Sequence, residues 1–263
     1  MKNLSLVNKV IFLLNNIIAL LFLASFAIPY IPPRSFPLLS ILSLAVPLLI
    51  FILIGFALYW ILTGLKRQFI LSFLCLLLAV GFSYFPYKFK EHKVISGNSF
   101  SVMSFNVRLM NRYKWIDDEE VPEKIARLIE EQNPDILALQ EYAPFENISS
   151  QFDYKYEELE GGRSPHGMSI LSQFPILNSG SLDFENSDNN AIFVDILKND
   201  DTLRIYNVHL ESLGVKADSL HLSDINEKDS RKLLKRLTGA FKKQQDQVEK
   251  FDAHRTSCRY PII

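Results

Sequence analysis

Residues 134–141 have the sequence PDILALQE, and this stretch decides how the second half of the chain folds. Its apolar run at residues 136–139 predicts a buried strand that delivers one carboxylate, Glu141, at its C-terminal end. Upstream, residues 100–105 are apolar on both faces, which predicts a second, interior strand. Residues 121–132, between the two, carry apolar side chains at helical spacing. Strand, helix and strand in this order predict a right-handed crossover between parallel neighbours.

The two predicted strands both end in polar residues. Asn106 directly follows the first strand, and Glu141 ends the second. Parallel strands have their carboxyl ends at the same edge of a sheet, where open α/β sheets bind ligands. We therefore expect Asn106 and Glu141 to face a common crevice.

The chain after Glu141 predicts more strands and a long helix. A β-hairpin is indicated by two apolar runs joined by KNDDT, and His209 emerges just after its second strand. The last five residues, RYPII, resemble the start of another buried strand. The predicted strands cover residues 154–159, 167–172, 191–197 and 203–208, and the predicted helix covers residues 227–251.

Composition divides the chain into two parts. Of the 263 residues, 48% are hydrophobic, and the excess lies before residue 88. The formal net charge of -1 argues against an overall electrostatic footprint for nucleic acid. The two cysteines have neither disulfide-framework nor metal-binding spacing, so they leave the redox compartment open.

The first part is predicted to lie in a membrane. Residues 10–28, 38–63 and 69–85 are apolar runs comparable to the roughly 20 residues that span a bilayer. They predict a domain at residues 1–90 with three transmembrane helices. Asn15 and Asn16 lie inside the first run, where packing against another helix would satisfy their amides.

Two questions about this membrane part stay open in the sequence. The first run also fits a cleaved signal peptide, although no small-x-small cleavage site follows it and two more runs come after it. The balance of basic residues favours a cytoplasmic amino terminus. With three spans, the protein would be a multi-pass protein of the cell membrane, and its soluble domain would lie on the non-cytoplasmic side. The basic residues compared are Lys2, Lys9, Lys66 and Arg67 against Arg34, Lys88 and Lys90.

The predicted final helix has a basic face opposite its apolar face. Such a face fits contact with nucleic acid or lipid headgroups, but it is also typical of a solvated helix surface. Its members are Arg231, Lys232, Lys235, Arg236, Lys242 and Lys243.

The polar residues at the strand ends suit metal and phosphate chemistry. A carboxylate beside a side-chain amide suits Mg²⁺, which takes one or two carboxylates and completes its shell with water and phosphate oxygens. A nearby histidine such as His209 can stabilise charge on a phosphate. Taken one at a time, each residue also has a non-functional interpretation. Glu141 could be a surface charge, Asn106 a turn residue and His209 a structural histidine. Their expected convergence favours a functional site.

Four motifs, in order, resemble those of the endonuclease/exonuclease/phosphatase superfamily. They are SFNVR at 104–108, PDILALQE at 134–141, GMSILSQFPI at 167–176 and YNVHLES at 206–212. The resemblance covers residues 99–263 and implies a four-layered α/β sandwich of two packed sheets. It also implies hydrolysis of phosphodiesters or phosphomonoesters with a divalent metal, Mg²⁺ or Mn²⁺.

The resemblance assigns expected roles to individual residues. Glu141 matches the metal-binding glutamate, and Asn106 matches the asparagine that positions metal and phosphate. His209 matches the histidine that contacts the scissile phosphate, and Asn207 is the asparagine of the same N-x-H-L motif. Asn189 and Asn190 stand about where several members carry a phosphate-binding arginine.

Two later motifs of the superfamily, G-D-x-N and a terminal D-H pair, do not occur in the sequence. We therefore expect a sandwich that is incomplete at its C-terminus. Its activity should be weakened or lost, because the missing motifs carry the group that activates the attacking water. An unpaired sheet edge should also make the domain aggregate or lose fixed packing when it is expressed alone.

The sequence thus predicts transmembrane helices followed by a partial α/β sandwich. The expected function is that of a membrane-anchored, metal-dependent hydrolase acting as a phosphodiesterase, nuclease or phosphatase. Its substrate is a phosphate ester that could belong to nucleic acid, a lipid headgroup or a small molecule. The alternative is a non-catalytic membrane protein whose degenerate domain binds a phosphorylated partner or only anchors other proteins.

Overall fold

The computed structural model describes residues 4–64, 66–82, 99–214 and 227–263. The chain forms two compact units. The first comprises Met1–Lys93 and Ser212–Gln245, and the second comprises Val94–Glu211 and Asp246–Ile263.

Three apolar helices build most of the first unit: α1 (Leu6–Ser25), α2 (Pro37–Leu62) and α3 (Lys66–Gly81). Asn15 of α1 is fully buried, and its Oδ1 accepts a hydrogen bond of 2.9 Å from the Ser72 hydroxyl of α3. The helices share one apolar cluster, formed by Ala19, Phe22, Val46, Leu49, Ile50, Leu53, Cys75 and Ala79.

Two segments are long and apolar enough to cross a membrane, judged by length and composition. They are Leu6–Tyr30 and Pro37–Leu62, with mean hydropathies of 2.4 and 2.9. The core helix of a soluble protein and a signal sequence meet the same criterion, and α3 is shorter, at 16 residues. The count of three spans and their orientation therefore stay predictions. The end of the third apolar run, at residues 83–85, lies outside the described residues.

The first sheet of the second unit confirms the predicted strand–helix–strand arrangement. Its strands are β1 (Val102–Asn106), β2 (Ile136–Tyr142), β3 (Tyr154–Glu160) and β4 (His166–Ser172), in the order β1-β2-β4-β3. Strands β1 and β2 are parallel, with Asn106 opposite Gln140, and α4 (Val121–Gln132) connects them. The helix ends where Asn133 takes a left-handed conformation before a proline.

The prediction that β1 is an interior strand was wrong for the residues that the structure describes. There β1 is one of the two edge strands of its sheet, and Val102 is 43% exposed. Met103 and Phe105, on the opposite face, pack against the apolar cluster beneath α4. Apolar side chains on both faces of a strand therefore did not require a neighbour on each side.

The second sheet contains the predicted hairpin and one further strand. Its strands β5 (Ile176–Ser181), β6 (Ala191–Lys198) and β7 (Asp201–Val208) are antiparallel neighbours in chain order. Asn199 and Asp200 form a two-residue turn with φ of 49° and 68°, the left-handed conformations that this kind of hairpin needs. Strand β5 was missed because its ILNSGS sequence lacks apolar alternation.

The last residues of the chain pair with β7 in parallel. The backbone nitrogen of Arg204 donates to the Pro261 oxygen at 2.9 Å, and that of Ile263 donates to the Arg204 oxygen at 3.0 Å. The strand-like pairing expected of RYPII is therefore present. The prediction that these residues are buried was wrong, since residues 259–263 are exposed and Ile263 is 48% exposed.

The second unit is layered as helix, sheet, sheet and helix. Helix α4 packs on the outer face of the first sheet, and Ile136 and Ile170 on its inner face meet Val194 and Ile205 of the second sheet. Helix α6 (Glu227–Thr256), which contributes residues to both units, places Phe251 against the outer face of the second sheet. A four-residue helix, α5 (Glu146–Ser149), follows β2.

A close backbone approach in the first sheet makes one glycine indispensable. A Cβ at Gly167 would lie 2.1 Å from the backbone oxygen of Glu158 on β3. We expect Gly167→Ala to lower the free energy of unfolding by about 1–3 kcal/mol, because the two strands must separate to admit the methyl group. The chain has two tryptophans, so urea unfolding in detergent can be followed by Trp115 fluorescence in a Trp60→Phe background.

Gly162→Asn is the control for this variant. Gly162 lies in the turn of the same hairpin, has a φ of 52°, and would place a Cβ in open space. Asparagine tolerates this conformation, so a change within about 0.5 kcal/mol is expected. Equal effects of the two substitutions would contradict the steric argument.

Candidate functional site

A cleft of about 220 Å³ opens where β2 and β7 end and β4 begins. It brings together Glu141 and His209, two residues that the sequence selected from distant motifs. We call it the Glu141 cleft. Its lining consists of Leu109, Glu141, His166, Gly167, Met168, Asp188, Asn189 and His209.

Glu141 lies at an irregularity in β2. Pairing between β2 and β4 shifts register between Leu139 and Tyr142, and Glu141 itself has a φ of 47°. A left-handed glutamate stores about 1–3 kcal/mol of strain, which surrounding contacts must hold. The bulge turns the chain so that a side chain of an otherwise buried strand is 36% exposed in the cleft.

The Glu141 carboxylate contacts both of the other residues predicted beside it. Its Oε1 accepts a hydrogen bond of 3.0 Å from Asn106 Nδ2 and lies 3.7 Å from His209 Nε2. The Asn106 Oδ1 accepts from the backbone nitrogen of Arg108 at 3.0 Å, which fixes the amide with its nitrogen towards Glu141. The predicted convergence of Asn106 and Glu141 at one sheet edge is therefore present.

Asn207 supports the cleft from beneath and does not line it. The residue is 1% exposed, and its Nδ2 donates to the backbone oxygens of Leu139 at 2.8 Å and Ser169 at 3.0 Å. Its Oδ1 accepts from Gln140 Nε2. Since Leu139 and Gln140 directly precede Glu141, this amide from the second sheet holds the bulge that carries the glutamate.

The two asparagines at the expected arginine position have different surroundings. Asn189 lines the Glu141 cleft, and its Nδ2 donates to Glu211 Oε2 at 3.4 Å. Asn190 caps the start of β6 through its Oδ1, which accepts from the backbone nitrogens of Asp183 and Ala191. The backbone oxygen of Asn190 also accepts from the backbone nitrogen of His209 at 2.9 Å.

Sequence reasoning missed two ionisable residues of the cleft, His166 and Asp188. His166 begins β4, and its Nδ1 lies 3.2 Å from the Ser164 oxygen. Asp188 belongs to the polar run SDNN, whose composition predicts only a turn. Neither residue carries a spacing signal, because the fold brings them to the cleft from separate loops.

The residues present fit a hard divalent cation at Glu141. In the parts of the chain that the structure describes, no group of three or more His, Cys, Asp or Glu side chains is arranged to hold a metal. One exposed carboxylate beside an amide is nevertheless the kind of partial oxygen shell that Mg²⁺ accepts, since water and phosphate oxygens supply its other ligands.

The layered fold and the polar cleft at its sheet edge place the chain in a family of α/β sandwich proteins. A family model described as Endonuclease/Exonuclease/phosphatase family matches residues 103–251, and the chain belongs to this family. Its members hydrolyse phosphate esters and generally use divalent metals. A second model, described as a domain of unknown function, matches residues 8–84.

Several solved structures of this fold resemble parts of the chain. ANGEL2, described as a 2',3'-cyclic phosphatase, is 20% identical, with a TM-score of 0.36, and the match covers 42% of this chain and 40% of that one. A humanized D. rerio TDP2 is 19% identical, with a TM-score of 0.36, over 43% of this chain and 51% of that one. SmcL is 20% identical, with a TM-score of 0.41, over 63% of this chain and 61% of that one. This chain thus spans 40% to 61% of these structures. A comparison with curated proteins gives no match.

Proposed function

We propose that this protein is a membrane-anchored, divalent-metal-dependent hydrolase of phosphate esters, with Mg²⁺ or Mn²⁺ as its metal. The observation that carries the proposal is the meeting of a carboxylate, an amide and an imidazole around Glu141 Oε1, with Asn106 Nδ2 at 3.0 Å and His209 Nε2 at 3.7 Å. Membership of the family supports phosphate esters as the substrate class.

Each residue has a proposed role that follows from its position. Glu141 holds the cation, which when bound offsets negative charge on the phosphate oxygens. Asn106 fixes the carboxylate by donating to Oε1, so that Glu141 would be oriented to hold the metal. His209, when protonated, donates a hydrogen bond to a phosphate oxygen as charge develops there. Asn207 acts as a positioning residue, because its amide holds the strand segment next to Glu141.

Anchoring in a membrane is supported by the composition of the first unit. The segments Leu6–Tyr30 and Pro37–Leu62 satisfy the length and apolarity that a bilayer requires. Many of their large side chains are exposed, among them Leu13, Leu20, Leu48, Phe51 and Leu58. Contact with lipid would account for that exposure.

Hydrolysis of bis-p-nitrophenyl phosphate by the chain in detergent tests the proposal. Because the sequence lacks the G-D-x-N and D-H motifs, we expect turnover to be slow. It should require Mg²⁺ or Mn²⁺, be abolished by EDTA and fall by about 100-fold or more in Glu141→Gln, because losing metal binding removes several kcal/mol of transition-state stabilisation. The matched control is Glu130→Gln, which removes an exposed carboxylate of α4 outside the cleft lining and should leave the rate unchanged.

Direct Mn²⁺ binding, measured by electron paramagnetic resonance on the same samples, separates the remaining outcomes. Binding that depends on Glu141 without any turnover would assign a non-catalytic, metal-binding domain. Turnover that is equal in Glu141→Gln and the unmodified chain would show that the cleft is not the site of reaction. Absence of both binding and turnover would overturn the proposed function.

A further inference from the structure

A second cleft, of about 230 Å³, lies next to the Glu141 cleft and has a different character. Asn106 links the two, since it lines the second cleft and hydrogen-bonds to Glu141 in the first. We call the second one the apolar cleft. Its lining consists of Phe105, Asn106, Val107, Arg108, Asn111, Trp115, Ile116, Val121 and Ile125.

One wall of the apolar cleft is a loop that exposes large apolar side chains. Trp115 is 43% exposed and Ile116 is 58% exposed, and they face Val121 and Ile125 of α4 across the cleft. Such side chains cost free energy in water unless something covers them.

The loop is held in shape by its own hydrogen bonds. Asn111 Nδ2 donates to the Ile116 oxygen at 2.8 Å and to the Asp118 oxygen at 3.2 Å, while its Oδ1 accepts from the Ile116 nitrogen at 3.1 Å. Arg112 fastens the same loop to the β3–β4 turn through the Ser164 and Pro165 oxygens, each at 3.1 Å. The apolar wall is therefore preorganised.

The polar groups on the lining favour a hydrocarbon over a nucleobase as occupant. The amides of Asn106 and Asn111 are already engaged by backbone groups and by Glu141, so they have little capacity to read the polar edge of a base. Hydrophobic side chains form the rest of the surface, apart from Arg108.

Arg108 supplies a positive charge where the two clefts meet. Its guanidinium lies over the Trp115 ring, with Cζ at 4.5 Å from the ring centroid, and the residue is exposed. An exposed arginine held by an aromatic ring suits a phosphate oxygen, because guanidinium N–H groups donate charge-assisted hydrogen bonds to phosphate.

We propose that the apolar cleft binds the hydrocarbon portion of the phosphate ester, with Arg108 contacting the phosphate beside Asn106. This inference rests on the proposed function and narrows its substrate class to esters that join a phosphate to an apolar group. Trp115 and Ile116 are the residues that set the preference.

Ligand binding tests the proposal without requiring turnover. The full chain is placed in nanodiscs with Trp60→Phe, so that Trp115 is the remaining tryptophan, and is titrated with methyl, butyl and phenyl phosphate in the presence of Mg²⁺. Affinity should rise by about threefold for each added methylene group, as expected when it enters an apolar site. Arg108→Gln, followed by calorimetry, should weaken all three ligands by a similar factor.

Two matched substitutions locate the chain-length effect. Ile116→Asn should reduce the ratio of butyl to methyl phosphate affinity to below about twofold, and Ile116→Leu should restore it. Leu177→Asn, which changes a β5 side chain that is 56% exposed and lies off the cleft, should leave the ratio unchanged. A ratio that survives Ile116→Asn, or no chain-length dependence at all, would overturn the proposal.

Two further comparisons distinguish failure of this proposal from failure of the proposed function, and a hydrocarbon ester from a nucleotide as substrate. A chain-length effect in a protein without hydrolysis would refute the proposed function and leave the binding site standing. Hydrolysis without a chain-length effect would support the proposed function and refute the hydrocarbon-binding site. Tighter binding of uridine 5'-monophosphate than of butyl phosphate would overturn the hydrocarbon assignment.

Discussion

Asn207→Ala is expected to lower the free energy of unfolding of the second unit by about 2 kcal/mol or more, since a buried polar group left unpaired costs about 1–3 kcal/mol. The substitution removes the hydrogen bonds that Asn207 donates to the backbone oxygens of Leu139 and Ser169. It also takes one acceptor from Gln140 Nε2, which keeps Ser104 Oγ and the Ala138 oxygen as partners. Trp115 fluorescence during urea unfolding, in the Trp60→Phe background, measures the loss.

The same substitution should also weaken Mn²⁺ binding in protein that is still folded. Asn207 holds the two residues before Glu141, so its removal allows the strained φ of 47° to relax and the carboxylate to leave Asn106. Asn147→Ala, at an exposed position of α5, is the control and should change stability by less than about 0.5 kcal/mol. A loss below about 1 kcal/mol in Asn207→Ala would contradict the structural role, given typical net hydrogen-bond contributions.

Arg204→Met should destabilise the second unit by about 3–5 kcal/mol, the usual cost of leaving a buried charge without its partner. Arg204 holds Asp195 through two hydrogen bonds, Nε to Oδ1 at 2.6 Å and Nη2 to Oδ2 at 2.7 Å. Asp195 is 3% exposed, so water cannot replace the guanidinium. The double variant Arg204→Met, Asp195→Asn should recover much of the loss, because it removes the stranded charge as well.

The pH dependence of the stability of these variants tests whether the pKa of Asp195 is lowered or raised. Burial alone would raise the pKa of Asp195, but hydrogen bonds from Arg204 and Asn178 outweigh it and hold the pKa below its ordinary value of 3.8. The pair's contribution to stability is therefore present above about pH 3.8 and is lost as the pH falls below it. In Arg204→Met the hydrogen bonds and charge of Arg204 are lost while burial remains, so the pKa of Asp195 should rise, even though Asn178 and His254 still lower it.

Urea unfolding between pH 7 and pH 4 checks this reversal. Relative to the double variant, Arg204→Met should become more stable as the pH falls, because protonation neutralises the stranded carboxyl. The double variant carries the same surroundings without the acid, so titrating groups that do not interact with Asp195 cancel in the difference. His254 does not cancel, because burial lowers the pKa of this histidine and the charge of Asp195 raises it. A difference that is independent of pH would show that Asp195 finds another partner.

The parts of the fold that depend on local patterns were accessible from sequence. Helix α4, the parallel pair β1 and β2, and the β6–β7 hairpin each have the periodicity or turn residues of their class. The meeting of Asn106 and Glu141 followed from topology alone, because parallel strands deliver their ends to one edge.

The parts that depend on tertiary contacts were not accessible. No local pattern marks the bulge at Glu141, because the amide that stabilises it comes from Asn207, 68 positions from Leu139. The edge position of β1 reflects which strands are adjacent, and apolarity does not encode adjacency. His166 and Asp188 reach the cleft through loops whose composition is that of ordinary turns.

Arg112 gives the two clefts a common mechanical support. It ties the loop bearing Trp115 and Ile116 to the Ser164–Pro165 turn, and the next residue along the chain, His166, lines the Glu141 cleft. If a ligand shifted this loop, the attachment would carry the movement to a wall of the neighbouring cleft. Because coupling between two binding sites is reciprocal, a ligand in either cleft would then change the affinity of the other cleft by the same factor.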